Sequence, residues 1–231
     1  MLLAIDTSTS QASIAIYRDA VLAEASWVAG HDQTRDLLPE VQHLLRLTGL
    51  TVKDLTAVGV ALGPGGFNGL RVGLATAKAI VAARGLVIVG IDTPRVDAYQ
   101  FHLTYRPIRP IYDAGRGEVA TGLYKEADEL FATLEEPRIT SLDDALDGSP
   151  PETLFCGELR PEWRQKIQER FGPDGHVVDP AGAVRRAGYL AELAGQLVSA
   201  GITDNPATLQ PIYLRRPPIH GGARAFGRTA P

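Results

Sequence analysis

The residues of this 231-residue chain that could do chemistry fall in three places. The first is Gly63-Pro64-Gly65-Gly66-Phe67-Asn68-Gly69-Leu70-Arg71-Val72-Gly73. A glycine loop that opens a helix offers free N–H groups and the positive end of the helix dipole, which is the chemistry of anion binding. The spacing fits neither common phosphate fingerprint. A P-loop needs Lys-Ser/Thr after its last glycine, and Gly69 is followed by Leu70-Arg71. A dinucleotide loop starting at Gly63 needs a glycine three residues after Gly65, where Asn68 stands. The stretch therefore reads either as an anion cradle or as a tight structural turn. The other two places are Asp6, in Asp6-Thr7-Ser8-Thr9-Ser10, and Asp113, in Asp113-Ala114-Gly115-Arg116-Gly117, each at the end of a short apolar run. Ser and Asp together at residues 6–10 would suit hydrolysis, but no G-x-S-x-G elbow accompanies them. His31, His43, His102, His176 and His220 show no metal-ligand spacing.

The elements that must position these residues follow from periodicity. Residues 2–5 form an apolar strand that delivers Asp6. Residues 11–17 alternate, 18–20 turn and 21–28 return, an antiparallel meander. Leu37, Leu38, Val41, Leu44 and Leu45 keep helical spacing within 34–48, with Pro39 near the first turns and Gly49 at the end. A buried strand at 57–62 leads into the glycine loop, and an Ala-rich helix over 70–84 follows, with Asn68 as its N-cap. A strand at 86–91 and a helix from Pro94 to about residue 101 complete the first half. The second half repeats the order: strand 108–112 ending at Asp113, strands 119–124 and 130–134, a capped helix from Ser141, strand 154–156, helix 162–171, strand 176–178 and helix 183–199. This internal repeat indicates an α/β chain of two lobes with duplicated βββαβα units, 1–103 and 104–214, and a mobile basic tail at 215–231.

The helix after the glycine loop has a peculiarity. Gly69, Gly73 and Ala77 recur every four residues and so line one stripe. Glycine inside a helix costs about 1 kcal/mol relative to alanine, so the stripe implies that another backbone comes close. That neighbour is either the chain's own sheet or another protein. Leu70, Leu74 and Val81 lie on the adjoining face. Two apolar helices exceed what one small sheet face needs, and an uncovered apolar patch marks an interaction surface. Leu70 and Leu74 are therefore expected to meet a partner, and Leu74→Arg to disrupt association without unfolding the chain.

Composition narrows the function. A hydrophobic fraction of 45% supports a real core, and a net charge of −4 argues against a nucleic-acid binder acting alone. The single cysteine, Cys156, allows no intrachain disulfide and suits a reducing compartment. Asp6 comes too early for a signal peptide and no long apolar run spans a membrane, so a cytoplasmic location without membrane contact is expected.

Two lobes that each begin with a strand–Asp turn resemble the actin-like ATPase architecture of actin, sugar kinases and heat-shock chaperones, in which both turns face a nucleotide cleft. Here the first turn lacks the glycine that lets a phosphate approach, and the second keeps Gly115. Beyond the fold, the chain resembles the TsaB (YeaZ) family. The carriers are Leu3-Ala4-Ile5-Asp6-Thr7-Ser8, Leu38-Pro39, the 63–73 loop, Gly90-Ile91, Asp113-Ala114 with Gly117-Glu118-Val119, and Pro211-Ile212-Tyr213-Leu214-Arg215, in order over most of the chain. Where the family usually has Ser-Phe-Thr in the loop, this chain has Gly66-Phe67-Asn68.

The resemblance implies a non-catalytic dimerisation subunit of the bacterial machinery that makes threonylcarbamoyladenosine in tRNA. It implies binding of a TsaD-like catalytic subunit through the two apolar helices, with Leu38, Val41, Leu45, Gly69, Leu70, Gly73, Leu74 and Ala77 as partner-binding residues. It further implies contact with a TsaE-like small ATPase, indirect contact with tRNA, and a homodimer when alone. No cofactor of its own is expected; ATP and metal belong to the partner subunits. The related catalytic subunit carries a metal-binding His-x-x-x-His pair that aligns with Thr93 and Asp97, so the metal site should be absent. Asp6 and Asp113 would then mark a vestigial nucleotide cleft. The alternative is an ATP-dependent kinase of the same fold, in which they would hold magnesium and phosphates.

Overall fold

The computed structural model describes residues 1–29, 33–127 and 130–215. Among these, the strands make two five-stranded mixed sheets. The first contains β1 (Leu2–Asp6), β2 (Gln11–Arg18), β3 (Ala20–Val28), β4 (Ala57–Ala61) and β5 (Val87–Ile91), in the order β3-β2-β1-β4-β5. The second contains β6 (Ile108–Gly115), β7 (Glu118–Ala127), β8 (Leu130–Ser141), β9 (Leu154–Gly157) and β10 (His176–Val177), in the order β8-β7-β6-β9-β10. The topologies are identical: each sheet opens with an antiparallel meander and adds two parallel strands on the far side of its first strand. The chain is thus a two-lobed actin-like α/β fold built from a repeated unit.

Among the described residues six α-helices cover the sheets: α1 (Gln33–Leu47), α2 (Phe67–Arg84), α3 (Thr93–Tyr99), α4 (Leu142–Asp147), α5 (Pro161–Phe171) and α6 (Ala187–Ser199). Side chains alternate across a strand, and the register turns that alternation into two cores. Leu3 and Ile5 stand beside Ile16 and Ile14 on one side and Val58 and Val60 on the other, a branched apolar face that α1 and α2 cover. Leu2, Ala4, Ala15, Ala57 and Ala61 face the opposite way, under α6. That face is small because α6 comes close: a Cβ on Gly59 would lie 2.8 Å from Ala194 Cβ. The α3 helix joins the same core and meets Ile108, Tyr124 and Phe131 of the second sheet. Beyond that sheet, Ile111, Val119 and Phe155 pack on α4 and α5. No helix among the described residues is long and apolar enough to cross a membrane.

Four expectations need correction. The helix expected from 183 starts at Ala187, because Arg186 is extended at φ −115°, ψ 123°. The strand expected over 130–134 continues to Ser141 through Glu135-Glu136-Pro137-Arg138. That polar run has no apolar alternation, but β8 is an edge strand, where proline and charge are tolerated. Gly66, not Asn68, is the N-cap of α2, and no side chain caps that end. Finally, residues assigned to the second lobe return to the first. The α6 helix packs on the first sheet, Asp204 pairs with Ile88, and Ile212 N donates to Leu62 O at 2.8 Å. Arg215, expected to begin a mobile tail, donates to Ala114 O at 3.0 Å and pairs with Glu118. The rest of the basic tail, with His220, and also His31, lie outside the described residues.

Candidate functional site

A cleft of about 880 Å3 opens between the lobes, lined by Thr9 and Ser10 of the first turn, residues 64–69, Asp113 to Arg116 of the second turn, and 212–215. The two Asp turns and the glycine loop are thus brought together, as the fold requires. Their polar groups, however, are occupied by the chain itself. Asp6 is fully buried: its Oδ1 accepts from Ser8 N at 2.9 Å and Ser8 Oγ at 2.6 Å, and its Oδ2 from Arg185 Nε at 2.5 Å. Asp113 accepts from Gly115 N at 2.9 Å and pairs with Arg160, both side chains partly exposed. Arg185 is buried among Asp6, Asp97 and Glu158. Burial raises the Asp97 carboxyl to about 6, against the opposing pull of Arg185 and of the Tyr112 hydroxyl that donates to it. Burial also pushes the Tyr112 phenol and the Cys156 thiol well up, which leaves Cys156 an inert core thiol.

The glycine loop is a structural turn clamped against the first Asp turn. Gly66 N donates to Ser8 O at 2.6 Å, and a Cβ on Gly65 would fall on that same carbonyl. On the next turn of α2, a Cβ on Gly73 would meet Thr7 Oγ1, which donates to Gly69 O at 2.7 Å. The Gly69–Gly73–Ala77 stripe is therefore the close-packing face of α2 on β1, and all three residues are buried. Phe67 at the start of α2 packs against Tyr213 with the rings tilted by 35° and their centroids 5.5 Å apart, which ties the returning chain to the mouth of the cleft.

The residues expected to bind a partner divide accordingly. Leu38 is 51% exposed on α1. Val41, Leu45, Leu70 and Leu74 are not available, since all four are at most 5% exposed and belong to the chain's own core or its glycine turn. A Cβ at Gly63 would lie 2.9 Å from Leu70 Cδ1, so that leucine is spent on the turn. The outer faces of the two helices carry other residues: Leu38, Gln42, His43 and Leu47 on α1, and Ala75, Ala79, Ala82 and Ala83 on α2. The two helices pack against each other on the same side of the first sheet.

A divalent metal with a nucleotide, which the fold implies, does not fit the groups present. The Asp6 carboxylate is satisfied by Arg185 and by Ser8, and that of Asp113 is engaged by Arg160 and Gly115 N at a partly exposed position. Thr93, fully buried, accepts from Gly63 N at 3.1 Å and fixes the glycine turn, while Asp97 is held by Tyr112. No group of three or more His, Cys, Asp or Glu among the described residues could hold a metal ion. Sequence reasoning missed Arg185, Arg160, Tyr112 and Glu158. The only trace was Arg185-Arg186 ahead of an apolar helix, and no spacing links either arginine to Asp6, 179 residues away.

An open cleft between two duplicated lobes defines the class: an actin-like α/β fold whose turn carboxylates are paired with arginines of the chain itself. Comparison with known proteins gives the family. The family model for TsaD, the tRNA N6-adenosine threonylcarbamoyltransferase, matches residues 27–166. The tRNA threonylcarbamoyladenosine biosynthesis protein TsaB of Bacillus subtilis is 30% identical over 93% of this chain and 93% of its own length. The protein of the same name from Escherichia coli is 27% identical over 93% of this chain and 94% of its own. Among solved structures, YeaZ from Pseudomonas aeruginosa superposes with a TM-score of 0.77 at 21% identity, over 91% of this chain and 99% of that one. The chain belongs to the TsaB family.

Proposed function

We propose that this protein serves threonylcarbamoyladenosine formation in tRNA as a non-catalytic scaffold. It pairs with a TsaD-like transferase while that subunit moves a threonylcarbamoyl group onto the adenosine next to the anticodon. One observation carries the reading: the outer faces of α1 and α2, which pack against each other, expose small and apolar side chains, with Gln42 and His43 among them, that nothing in the described chain covers. Leu38 and Leu47 are 51% and 66% exposed on α1, and Ala75, Ala79, Ala82 and Ala83 are exposed on α2. Helices present such alanines where another helix approaches closely. The relatives' printed names support the pathway, and the TsaD-type match over 27–166 supports a partner of related fold. The same surface serves a homodimer when the partner is missing. The small ATPase and the tRNA are reached through the catalytic subunit.

The test is paired. Ala79→Arg and Leu38→Asp, each at an exposed position, should weaken binding to the catalytic subunit by at least about tenfold, or ~1.4 kcal/mol, with unchanged melting of the free chain. Wild-type affinity in both variants would remove this surface from the interface. Restoration of full tRNA modification in a strain lacking the catalytic subunit, by this chain alone, would overturn the non-catalytic reading.

A further inference from the structure

The floor of the cleft holds a charge arrangement that the partner surface does not use. Arg185 is 2% exposed and lies in the segment just before α6. Its Nε donates to Asp6 Oδ2 at 2.5 Å, and its Nη2 to Thr9 Oγ1 at 2.7 Å and Gln11 O at 3.3 Å. Its Nη1 stands 3.5 Å from Asp97 Oδ2 and 3.9 Å from Glu158 Oε1, and has no hydrogen-bond partner within bonding distance among the described residues. Asp6, Thr9 and Gln11 come from the first lobe, Asp97 from α3, and Glu158 from just after β9 in the second lobe. One guanidinium therefore touches acids from both sides of the cleft.

Two buried carboxylates, Asp6 and Asp97, with the half-buried Glu158 beside them, cannot all stay ionised without a cation between them. A bound divalent ion is one solution; a side chain that never loses its proton is another, and only arginine guarantees it. The other turn repeats the device at the surface, where Arg160 pairs with Asp113.

We propose that Arg185 is the resident cation of the interlobe cleft. It stands among the carboxylates where a two-lobed ATPase would admit a divalent metal, closes that position to metal, and ties the two lobes to each other. The cleft is thereby converted from a metal–nucleotide site into a fixed internal joint. This goes beyond the scaffold reading and does not depend on which surface meets the partner.

Two measurements test it. The first uses the wild-type full-length chain and Mn2+, followed by electron paramagnetic resonance with and without ADP. No saturable binding is expected at millimolar Mn2+; a stoichiometric site that Asp6→Asn abolishes would overturn the proposal. The second uses Arg185→Ala. Its melting temperature should fall, and millimolar guanidinium should raise it relative to sodium chloride of equal ionic strength, while the wild type gains nothing. A variant that melts like wild type, or that guanidinium fails to rescue, would overturn the proposal. A stoichiometric Mn2+ site in the wild type that Mg2+ competes away overturns the proposal by itself, so this measurement decides even where Arg185→Ala is insoluble.

Discussion

Replacing Gly73 by alanine sets two well-known effects against each other. In an ordinary helix interior the change stabilises by about 1 kcal/mol, because glycine loses more backbone freedom on folding. Here the added methyl would fall on Thr7 Oγ1, with Ile5 Cγ2 and Thr7 Cβ next at 3.6 Å. Thr7 is 2% exposed, and its hydroxyl donates to Gly69 O at 2.7 Å. A β-branched side chain has few other rotamers. Turning Thr7 away would cost its buried hydrogen bond, about 1 kcal/mol or more if the hydroxyl stays unpaired. Keeping it would force α2 off β1, an overpacking cost of typically 1–3 kcal/mol. Either route at least cancels the helical gain, so Gly73→Ala should destabilise by up to about 2 kcal/mol and should not stabilise. The decisive assay is a double-mutant cycle by urea unfolding. Removing the clashing atom with Thr7→Ala leaves neighbours at an ordinary 3.6 Å, so in that background Gly73→Ala should be neutral or stabilising. Additive effects of the two substitutions, or a stabilised Gly73→Ala single variant, would refute the close-packing argument.

Two further outcomes follow from the cleft. Asp113→Asn removes one partner of an ion pair whose side chains are 42% and 47% exposed, so stability should change by less than about 1 kcal/mol and tRNA modification should stay within about tenfold; complete loss of modification in the folded variant would refute this. For Asp97, burial raises the folded-state carboxyl to about 6 from an ordinary 3.8, so the folded state holds its proton more tightly than the unfolded chain does. The group's contribution is therefore most favourable below pH 3.8 and is lost as pH rises to about 6, by roughly 3 kcal/mol at most. Asp97→Asn should flatten that decline in melting profiles between pH 4 and 7, and an unchanged slope would show that Asp97 does not titrate there.

The fold was legible because its signals are local. Alternation in 11–17, the apolar delivery of Asp6 and Asp113, and the repeat of strand, turn and meander all survive into the two matching sheets. Gly85 ends α2 in the left-handed conformation at φ 64°, as a helix-closing glycine should. The stripe of Gly69, Gly73 and Ala77 correctly announced a close neighbour, but the spacing could not say whose backbone it was. That depended on β1 running beneath α2, a contact between residues more than sixty apart. The same limit misassigned Leu70 and Leu74, since helical period shows which residues share a face and not what covers it. At β8, the expected strand ends too early, at residue 134: Pro137 and its charged neighbours show no apolar alternation yet continue an edge strand, where no second partner needs the missing N–H.

Arg185 shows why the candidate site was the least legible part. A buried cation is invisible to periodicity, since it follows no apolar pattern and its partners come from three separate segments, residues 6–11, Asp97 and Glu158. What could be read was the deficit it fills. Asp6 is a candidate at an apolar strand end with no basic neighbour in sequence, whereas Asp97 reads only as a position where a metal-binding histidine is missing. A buried carboxylate without a cation is costly enough that the chain must supply one, bind one, or hold the proton. The structure takes the first course for Asp6, through Arg185, and leaves Asp97 part-way to the last, with its carboxyl at about 6. An unmatched acid at the end of a buried strand is therefore a request for a distant arginine as much as for a metal. In a duplicated fold such as this one, the two can be told apart only when the element that returns across the lobes, here the segment before α6, is traced to its end.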